Sequence, residues 1–126
     1  MEALAAAGIP AVATREPGGA PGAEEIRSLL VSGSPGRWEP LTEALLHFAA
    51  RREHLERTIR PALANGTWVV CDRFTDSTMA YQGYAQALGR DAVERLAEVV
   101  QAGLRPDLTP VLDLPVEVGV QRGQQR

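Results

Sequence analysis

The stretch Thr67-Trp68-Val69-Val70-Cys71-Asp72-Arg73 decides the fold. Its apolar residues follow a turn at Asn65-Gly66 and end abruptly in two charged side chains. A short, continuous apolar run with such boundaries is typical of a strand buried on both faces, as in a parallel sheet. We therefore predict a strand over residues 67–71.

Two further apolar runs predict strands, over Ala11–Thr14 and Asp107–Leu114. The segments between the predicted strands have helical character, with a break expected just before Pro61. These helical segments cover residues 1–7, 23–31, 41–64, 76–88, 90–102 and a last helix from Pro115. Helices that alternate with short buried strands predict an α/β fold with a parallel sheet. We expect residues 1–126 to form a single domain.

Composition is that of an ordinary globular protein. The chain has 126 residues and 13.5 kDa, of which 44% are hydrophobic and 23% charged. No apolar run approaches the length of about 20 residues that a membrane span needs. The first residues lack the pattern of a signal peptide. The single cysteine, Cys71, has no internal disulfide partner, so we expect a buried, reduced thiol. A cytoplasmic protein that contacts no membrane is the simplest expectation.

The charged residues exclude some chemistry. All 13 basic residues are arginine, so no lysine is present to form a Schiff base or to hold phosphate on a glycine-rich loop. The net charge of −3 argues against a nonspecific nucleic-acid binder, which needs a basic face. We expect no nucleic-acid partner.

Charged residues follow each predicted strand, where parallel sheets bind ligands. Arg15-Glu16 follows the first strand, Asp72-Arg73 follows the second, and Asp113 lies near the end of the third. An arginine fork suits phosphate oxygens, and a neighbouring carboxylate can hold Mg²⁺ or orient the arginine. The alternative for Asp72-Arg73 is a plain ion pair at a strand end.

The segments Arg15–Gly19 and His47–Arg52 are two further candidates. Gly18-Gly19 lets a backbone approach a ligand closely, or simply makes a tight turn. His47 and Arg51 are four residues apart and share a helix face, where a ring and a donor could hold a base. The alternative is a solvated arginine face beside a core phenylalanine, Phe48.

Polar side chains at the start of the predicted helix 76–88 form the last candidate. Thr78, Tyr81 and Gln82 have helical spacing and could supply a flat wall and an amide. The alternative is ordinary helix surface. We expect His54 to lie on a helix surface too. The sequence shows neither zinc-ligand spacing nor a nucleophile elbow.

Taken in order, eight segments are far more specific than any one of them, and together they resemble bacterial thymidylate kinase from end to end. The segments are T-R-E-P-G-G (14–19), E-E-I-R (24–27), T-E-A-L-L (42–46), R-R-E-H-L (51–55), V-V-C-D-R-F (69–74), D-S-T-M-A-Y-Q-G-Y (76–84), L-R-P-D-L-T (104–109) and L-D-L-P-V-E-V-G (112–119). The resemblance implies a three-layer parallel sheet of the P-loop nucleoside monophosphate kinase type. It also implies transfer of a phosphoryl group from ATP to dTMP with Mg²⁺.

The resemblance assigns a phosphate side to the site. Asp72 and Arg73 match the family's D-R motif, in which the arginine grips the dTMP phosphate and the aspartate helps organise the metal. Arg27 matches a second arginine that contacts phosphate. Arg15 and Glu16 match the loop that lines the acceptor pocket.

The resemblance also assigns a base side. Arg51 matches the arginine that bonds a thymine carbonyl, and Thr78 and Gln82 match polar groups on the other edge of thymine. Tyr81 matches the ring that packs on the deoxyribose. The family's stacking phenylalanine falls at His47, with Phe48 one residue later, so either His47 stacks or the helix presents Phe48.

Some family segments have no counterpart in this sequence. The phosphate-binding loop with its lysine and the lid that closes over ATP both lack a match, so we expect a domain truncated at both ends. Such a chain is expected to be poorly stable and inactive alone. The resemblance further implies a homodimer, although the apolar stripe Leu45–Leu63 fits an internal core equally well. The alternatives are another nucleotide kinase of the superfamily, or a catalytically dead interaction module that keeps the fold.

Overall fold

The computed structural model of the chain describes residues 1–34 and 36–124. Helices dominate these residues, and every predicted helical segment contains helix, although the segment predicted over 76–88 is mostly a π-helical turn (Met79–Ala85). The bounds of the α-helices are α1 (Glu2–Ala6), α2 (Pro21–Val31), α3 (Pro40–His54), α4 (Arg60–Ala64), α5 (Thr75–Thr78), α6 (Arg90–Gln101) and α7 (Val116–Gln124). The strands of the described residues are β1 (Ala11–Thr14) and β2 (Trp68–Cys71).

The two strands pair in parallel, as the sequence predicted. Ala11 lies opposite Trp68, and Thr14 lies opposite Cys71. This register brings both carboxyl ends to the same edge of the sheet, so the loops that begin at Arg15 and Asp72 start side by side. Asp72 Oδ1 accepts a hydrogen bond from the Glu16 N–H at 3.1 Å, which ties the two loops together.

The third predicted strand, Asp107–Leu114, is wrong. The segment has no strand structure, and Leu108, Val111 and Leu112 are 79%, 85% and 93% exposed. A strand needs a neighbour to satisfy its N–H and C=O groups, and β1 and β2 pair only with each other within the described residues. An apolar pattern is therefore not enough here. Asp113 consequently does not join the other charged residues at the sheet edge.

One face of strand β2 is exposed, which corrects a further prediction. Trp68 and Val70 of β2 are 58% and 43% exposed, whereas Val69 and Cys71 are half-buried. Thr14 of β1 points to the covered face, where it contacts His54 of α3. Strand β2 is thus not buried on both faces, and the three-layer arrangement stays a prediction.

The long helix predicted over residues 41–64 is present but interrupted. A π-helical turn over Leu55–Ile59 joins α3 to α4, and the Arg60 N–H donates to the Leu55 carbonyl five residues earlier. Pro61 follows directly and has no N–H to donate to residue 57, so it disfavours a regular α-helical turn at this place. The predicted break before Pro61 is confirmed.

The apolar stripe of this long helix divides between core and surface. Phe48, Leu55 and Ile59 are buried, whereas Leu45 and Leu63 at its two ends are 48% and 45% exposed. The middle of the stripe therefore belongs to the internal core. The expectation of a homodimer stays a prediction.

Helix α6 is fixed against the long helix by arginine side chains. Arg52 Nη1 donates to the Val100 carbonyl at 3.0 Å, and Arg60 Nη2 donates to the Gln101 carbonyl at 2.8 Å. These carbonyls lie at the carboxyl end of α6, where a helix has unsatisfied acceptors and partial negative charge. The contacts set the position of α6 beside the segment from Thr75 to Ala85.

Cys71 ends β2 as a free, half-buried thiol, close to the buried thiol that we predicted. Its Sγ–H donates to the Arg73 carbonyl at 3.0 Å. Burial disfavours the thiolate and raises the pKa of Cys71 to about 11. The side chain is therefore a neutral thiol at physiological pH.

Candidate functional site

An open cavity of about 350 Å³ lies at the carboxyl edge of the sheet. Its walls come from the loop after β1, from α3, and from the segment after β2. Most of the predicted site residues line it, namely Glu16, His47, Arg51, Arg73, Thr78, Tyr81 and Gln82. A larger space of about 760 Å³ beside α6 is lined by none of the predicted residues. The first cavity is therefore the candidate site.

A buried ion pair forms the base of the cavity. Arg51 Nε donates to Glu16 Oε2 at 2.7 Å, and the two side chains are only 3% and 4% exposed. Arg51 Nη2 also donates to Thr78 Oγ1 at 3.0 Å. A charged pair away from water needs this close geometry, because each charge costs several kcal/mol to desolvate.

His54 extends this pair into a network, so its prediction as a surface residue is wrong. Its ring is fully buried, with Nδ1 at 3.0 Å from Glu16 Oε1 and Nε2 at 2.7 Å from Thr14 Oγ1. A carboxylate accepts hydrogen bonds, so Nδ1 carries a proton and donates to Glu16. Each oxygen of Glu16 is thus held by a different residue of α3. Helical periodicity did not reveal this because the partners come from the loop after β1.

Aromatic rings hold the Arg51 guanidinium on two sides. Its central carbon lies 4.8 Å from the Phe48 ring centroid and 5.0 Å from that of Phe74. Phe48 is 1% exposed and does not line the cavity, whereas His47 does. The helix therefore presents His47 to the cavity and keeps Phe48 in the core, beneath the guanidinium.

Two groups leave hydrogen-bonding capacity at the cavity. Arg51 Nη1 is buried and has no partner among the described residues. Gln82 is 4% exposed, and its Nε2 donates to Glu43 Oε1 at 2.7 Å, so its amide oxygen is the end left for a ligand. The site offers a donor and an acceptor within one cavity. A buried donor without a partner is costly unless a ligand satisfies it.

Arg73 and Asp72 lie at the mouth of the cavity. Both are exposed, and the Arg73 guanidinium carbon is 6.0 Å from the Tyr81 ring centroid. Arg73 lines the cavity, but Asp72 does not and instead holds the Glu16 N–H. No group of three or more acidic, histidine or cysteine side chains could hold a metal among the described residues. Asp72 could at most be a single carboxylate ligand, which suits the few protein ligands that Mg²⁺ takes beside phosphate.

Arg15 and Arg27 stay outside the cavity. Arg15 pairs with Glu24 at 3.0 Å on the surface, and Arg27 Nη1 donates to the Pro17 carbonyl at 2.9 Å. Both arginines therefore brace the loop that carries Glu16. The pKa of Glu24 is lowered by the Gly19 N–H hydrogen bond and by Arg15, so Glu24 stays ionised and fastens the same loop.

Glu43, His54 and Phe74 are the residues that the sequence reasoning missed. Glu43 lies four residues before His47 on the same helix face, so its spacing could have pointed to it. His54 lies three residues after Arg51 and carried the same signal. Phe74 had none, because its place depends on how the segment after β2 crosses α3.

The pKa of His47 is lowered, mainly because burial disfavours the imidazolium, and Glu43 opposes the shift only in part. The unfolded chain then takes up a proton at higher pH than the folded protein. We expect the free energy of unfolding to fall as pH drops below 6.5, the ordinary histidine value, and to recover as pH rises through that range. NMR titration of the His47 ring should give a midpoint below 6.5.

His47→Phe keeps a ring and removes the titrating group. In this variant the free energy of unfolding should lose the part of its pH dependence that comes from His47. A midpoint at or above 6.5 for His47 would contradict the prediction.

The architecture and the site together define a class. A cavity at the carboxyl edge of a parallel sheet, with one buried and one exposed arginine, is typical of α/β proteins that bind anionic ligands such as nucleotides. Comparison with known proteins then narrows the class.

A family model described as thymidylate kinase matches residues 1–126. A thymidylate kinase of Caulobacter vibrioides is 56% identical over 123 residues, which cover 98% of this chain and 59% of the relative. Those of Alkalilimnicola ehrlichii and Ruegeria pomeroyi are each 54% identical over 125 residues, or 99% of this chain and 58% and 59% of the relatives.

The chain belongs to the thymidylate kinase family, a family of kinases with the P-loop nucleoside monophosphate kinase fold. It spans about three-fifths of the length of the curated relatives that it matches. Among the described residues, no helix combines the length and apolar character that crossing a membrane requires.

Proposed function

We propose that the cavity binds dTMP, the acceptor of a reaction in which ATP gives up a phosphoryl group and dTDP forms. The observation that carries this proposal is the unpartnered Arg51 Nη1 in a guanidinium that lines the cavity. A pyrimidine carbonyl is an acceptor of the right kind for it. The chain's relatives, named thymidylate kinases, favour thymine as the base.

The base side of the proposed complex uses side chains of α3 and of the segment after β2. Arg51 Nη1 donates to a thymine carbonyl, and the Gln82 amide oxygen accepts from the ring N–H. Thr78 Oγ1 accepts a hydrogen bond from Arg51 Nη2 at 3.0 Å and so holds the guanidinium in position. The neutral ring of His47 stacks on the base, and Tyr81 at the mouth packs against the deoxyribose.

The phosphate side rests on Arg73, because it is the exposed arginine that lines the cavity. Its planar fork can bind two phosphate oxygens at once. Arg15 and Arg27 are engaged with Glu24 and the Pro17 carbonyl, so we assign them to ordering the loop. This differs from the direct phosphate contact that the resemblance implied for Arg27.

Phosphoryl transfer also needs charge neutralisation at the reacting phosphates, which Mg²⁺ supplies when bound. We assign Asp72, the neighbour of Arg73 in the sequence, to help hold that ion. The 126 residues contain no lysine for the phosphates of ATP, so we propose that they bind the acceptor without transferring phosphate by themselves. Robust dTDP formation from dTMP and MgATP by the purified chain would refute this second part.

Calorimetric titration with dTMP tests the site. Arg73→Ala should weaken dTMP binding by about 10- to 150-fold, which corresponds to about 1.5–3 kcal/mol for a hydrogen bond to a charged group. Thymidine lacks the phosphate, so its weaker binding should not change. Arg73 is exposed, and its replacement should leave the fold intact.

Arg90→Ala is the matched control. Arg90 is also an exposed arginine, but it pairs with Glu94 on α6 and does not line the cavity. It should bind dTMP as the wild-type protein does. Equal losses in both variants would mean general electrostatic attraction, and no dTMP binding by the wild-type protein would refute the proposed site.

A further inference from the structure

Glu43 lines the candidate cavity and accepts hydrogen bonds from two amide side chains of that cavity. Its Oε1 accepts from Gln82 Nε2 at 2.7 Å and from Gln86 Nε2 at 2.9 Å. Gln82 belongs to the π-helical turn Met79–Ala85, and Gln86 directly follows it. One carboxylate oxygen on α3 thus holds two amide groups of the opposite cavity wall.

The chemistry of these groups fixes the orientation of the Gln82 amide. An ionised carboxylate only accepts hydrogen bonds, so the NH₂ end of the amide must face Glu43. The amide oxygen then lies at the opposite end. Gln82 is 4% exposed, and turning its amide would place an oxygen against the Glu43 carboxylate with no water to separate them. Gln86 further occupies the same oxygen and keeps it in place.

We propose that Glu43 is a positioning residue that sets base specificity by fixing the amide oxygen of Gln82 as an acceptor. The inference rests on the proposed dTMP site. Thymine and uracil carry a hydrogen on ring nitrogen N3 and can donate to this oxygen. Cytosine has a lone pair on N3, which meets the oxygen as a second acceptor. Glu43 therefore favours dTMP and dUMP over dCMP through the orientation that it imposes on Gln82.

Arg51 contributes to the same discrimination by a separate route. Thymine carries a carbonyl where cytosine carries an amino group, and a hydrogen-bond donor such as Arg51 Nη1 favours the carbonyl. Glu43 consequently controls only the part of the preference for dTMP over dCMP that depends on Gln82. Replacing Glu43 should therefore reduce this preference but not abolish it.

The test is the ratio of the dCMP and dTMP dissociation constants, measured by calorimetry. In Glu43→Leu the Gln82 amide can turn, and we expect the ratio to fall by about tenfold, the value of one hydrogen-bond mismatch. Binding of dTMP and dUMP should weaken in parallel, because both carry the N3 hydrogen. A ratio also cancels any uniform gain in phosphate affinity from losing a negative charge.

Two variants serve as controls. Glu43→Gln keeps a side-chain oxygen that can accept from Gln82, but its amide can also turn and donate, so the ratio should lie between those of the wild-type protein and Glu43→Leu. Glu53→Leu removes another half-buried carboxylate of α3, one that faces Arg57 and not the cavity, and should leave the ratio unchanged. If Glu43→Leu does not fold, Glu43→Asp is the substitute. It keeps the charge but shortens the side chain by one methylene, so the ratio of the dCMP and dTMP dissociation constants should again fall.

The outcomes separate the two proposals. Equal weakening of dTMP and dCMP in a folded Glu43 variant would overturn the positioning role while leaving the dTMP site standing. A dCMP/dTMP ratio that falls in Glu43→Leu and recovers in part in Glu43→Gln would support it. Failure of the wild-type protein to bind dTMP would refute the proposed function itself and this inference with it.

Discussion

Glu16→Gln should lower the free energy of unfolding by roughly 3–5 kcal/mol, the cost of leaving one partner of a buried ion pair without its counter-charge. Arg51 is 3% exposed and would keep its charge. Both oxygens of Glu16 accept hydrogen bonds, one from Arg51 Nε and one from His54 Nδ1. An amide in their place must turn its NH₂ group toward one of these donors, so glutamine loses a hydrogen bond as well as the charge.

Urea denaturation followed by circular dichroism measures this change. Glu56→Gln is the matched control, because Glu56 also contacts two arginines, Arg52 and Arg60, but is exposed. Exposed ion pairs contribute about 0–1 kcal/mol, so the control should stay within that range. If both variants lost the same free energy of unfolding, burial of the ion pair between Glu16 and Arg51 would not add to its effect on stability.

Gly19→Ala should destabilise the fold by about 2–5 kcal/mol, through backbone strain and overpacking together. Gly19 has φ +83, a conformation that costs a residue with a side chain about 1–2 kcal/mol. A Cβ there would also lie 2.5 Å from both His54 Nε2 and Thr14 Oγ1. These two atoms belong to the buried network and cannot withdraw without breaking their own hydrogen bond.

Gly66→Ala is the control that measures the backbone strain without the overpacking. Gly66 has a similar φ of +70, but no atom lies within 4 Å of the position that a Cβ would take. The same denaturation experiment should give a loss of about 1–2 kcal/mol for this variant. If Gly19→Ala were no worse than Gly66→Ala, the close approach of Gly19 to His54 would not constrain the fold.

Local patterns predicted most of the secondary structure. Helical periodicity and the turn at Asn65-Gly66 predicted the helices, and the short apolar runs predicted β1 and β2. The same reasoning failed at Asp107–Leu114, because an apolar run becomes a strand only beside another strand. It also failed for the exposed face of β2, since burial depends on which elements cover a sheet.

The candidate site was predictable where its residues share a helix face or end a strand. Arg51, Thr78 and Gln82 were found in this way, and the structure brings them to one cavity. His54 was predicted to lie on the helix surface, because its helical spacing from Arg51 does not show whether the side chain is buried. Its burial depends on Glu16, which lies 38 residues away in the sequence.

The sequence by itself determined the helices, the parallel strand pair, the arginine-only basic set and the family. Each depends on neighbouring residues or on their order along the chain. Only the tertiary structure decided that His47 faces the cavity while Phe48 supports Arg51 from the core. It likewise decided that Arg15 and Arg27 brace a loop and that Glu43 accepts a hydrogen bond from Gln82. These outcomes depend on which distant donors and acceptors meet away from water, where each buried polar group needs a partner.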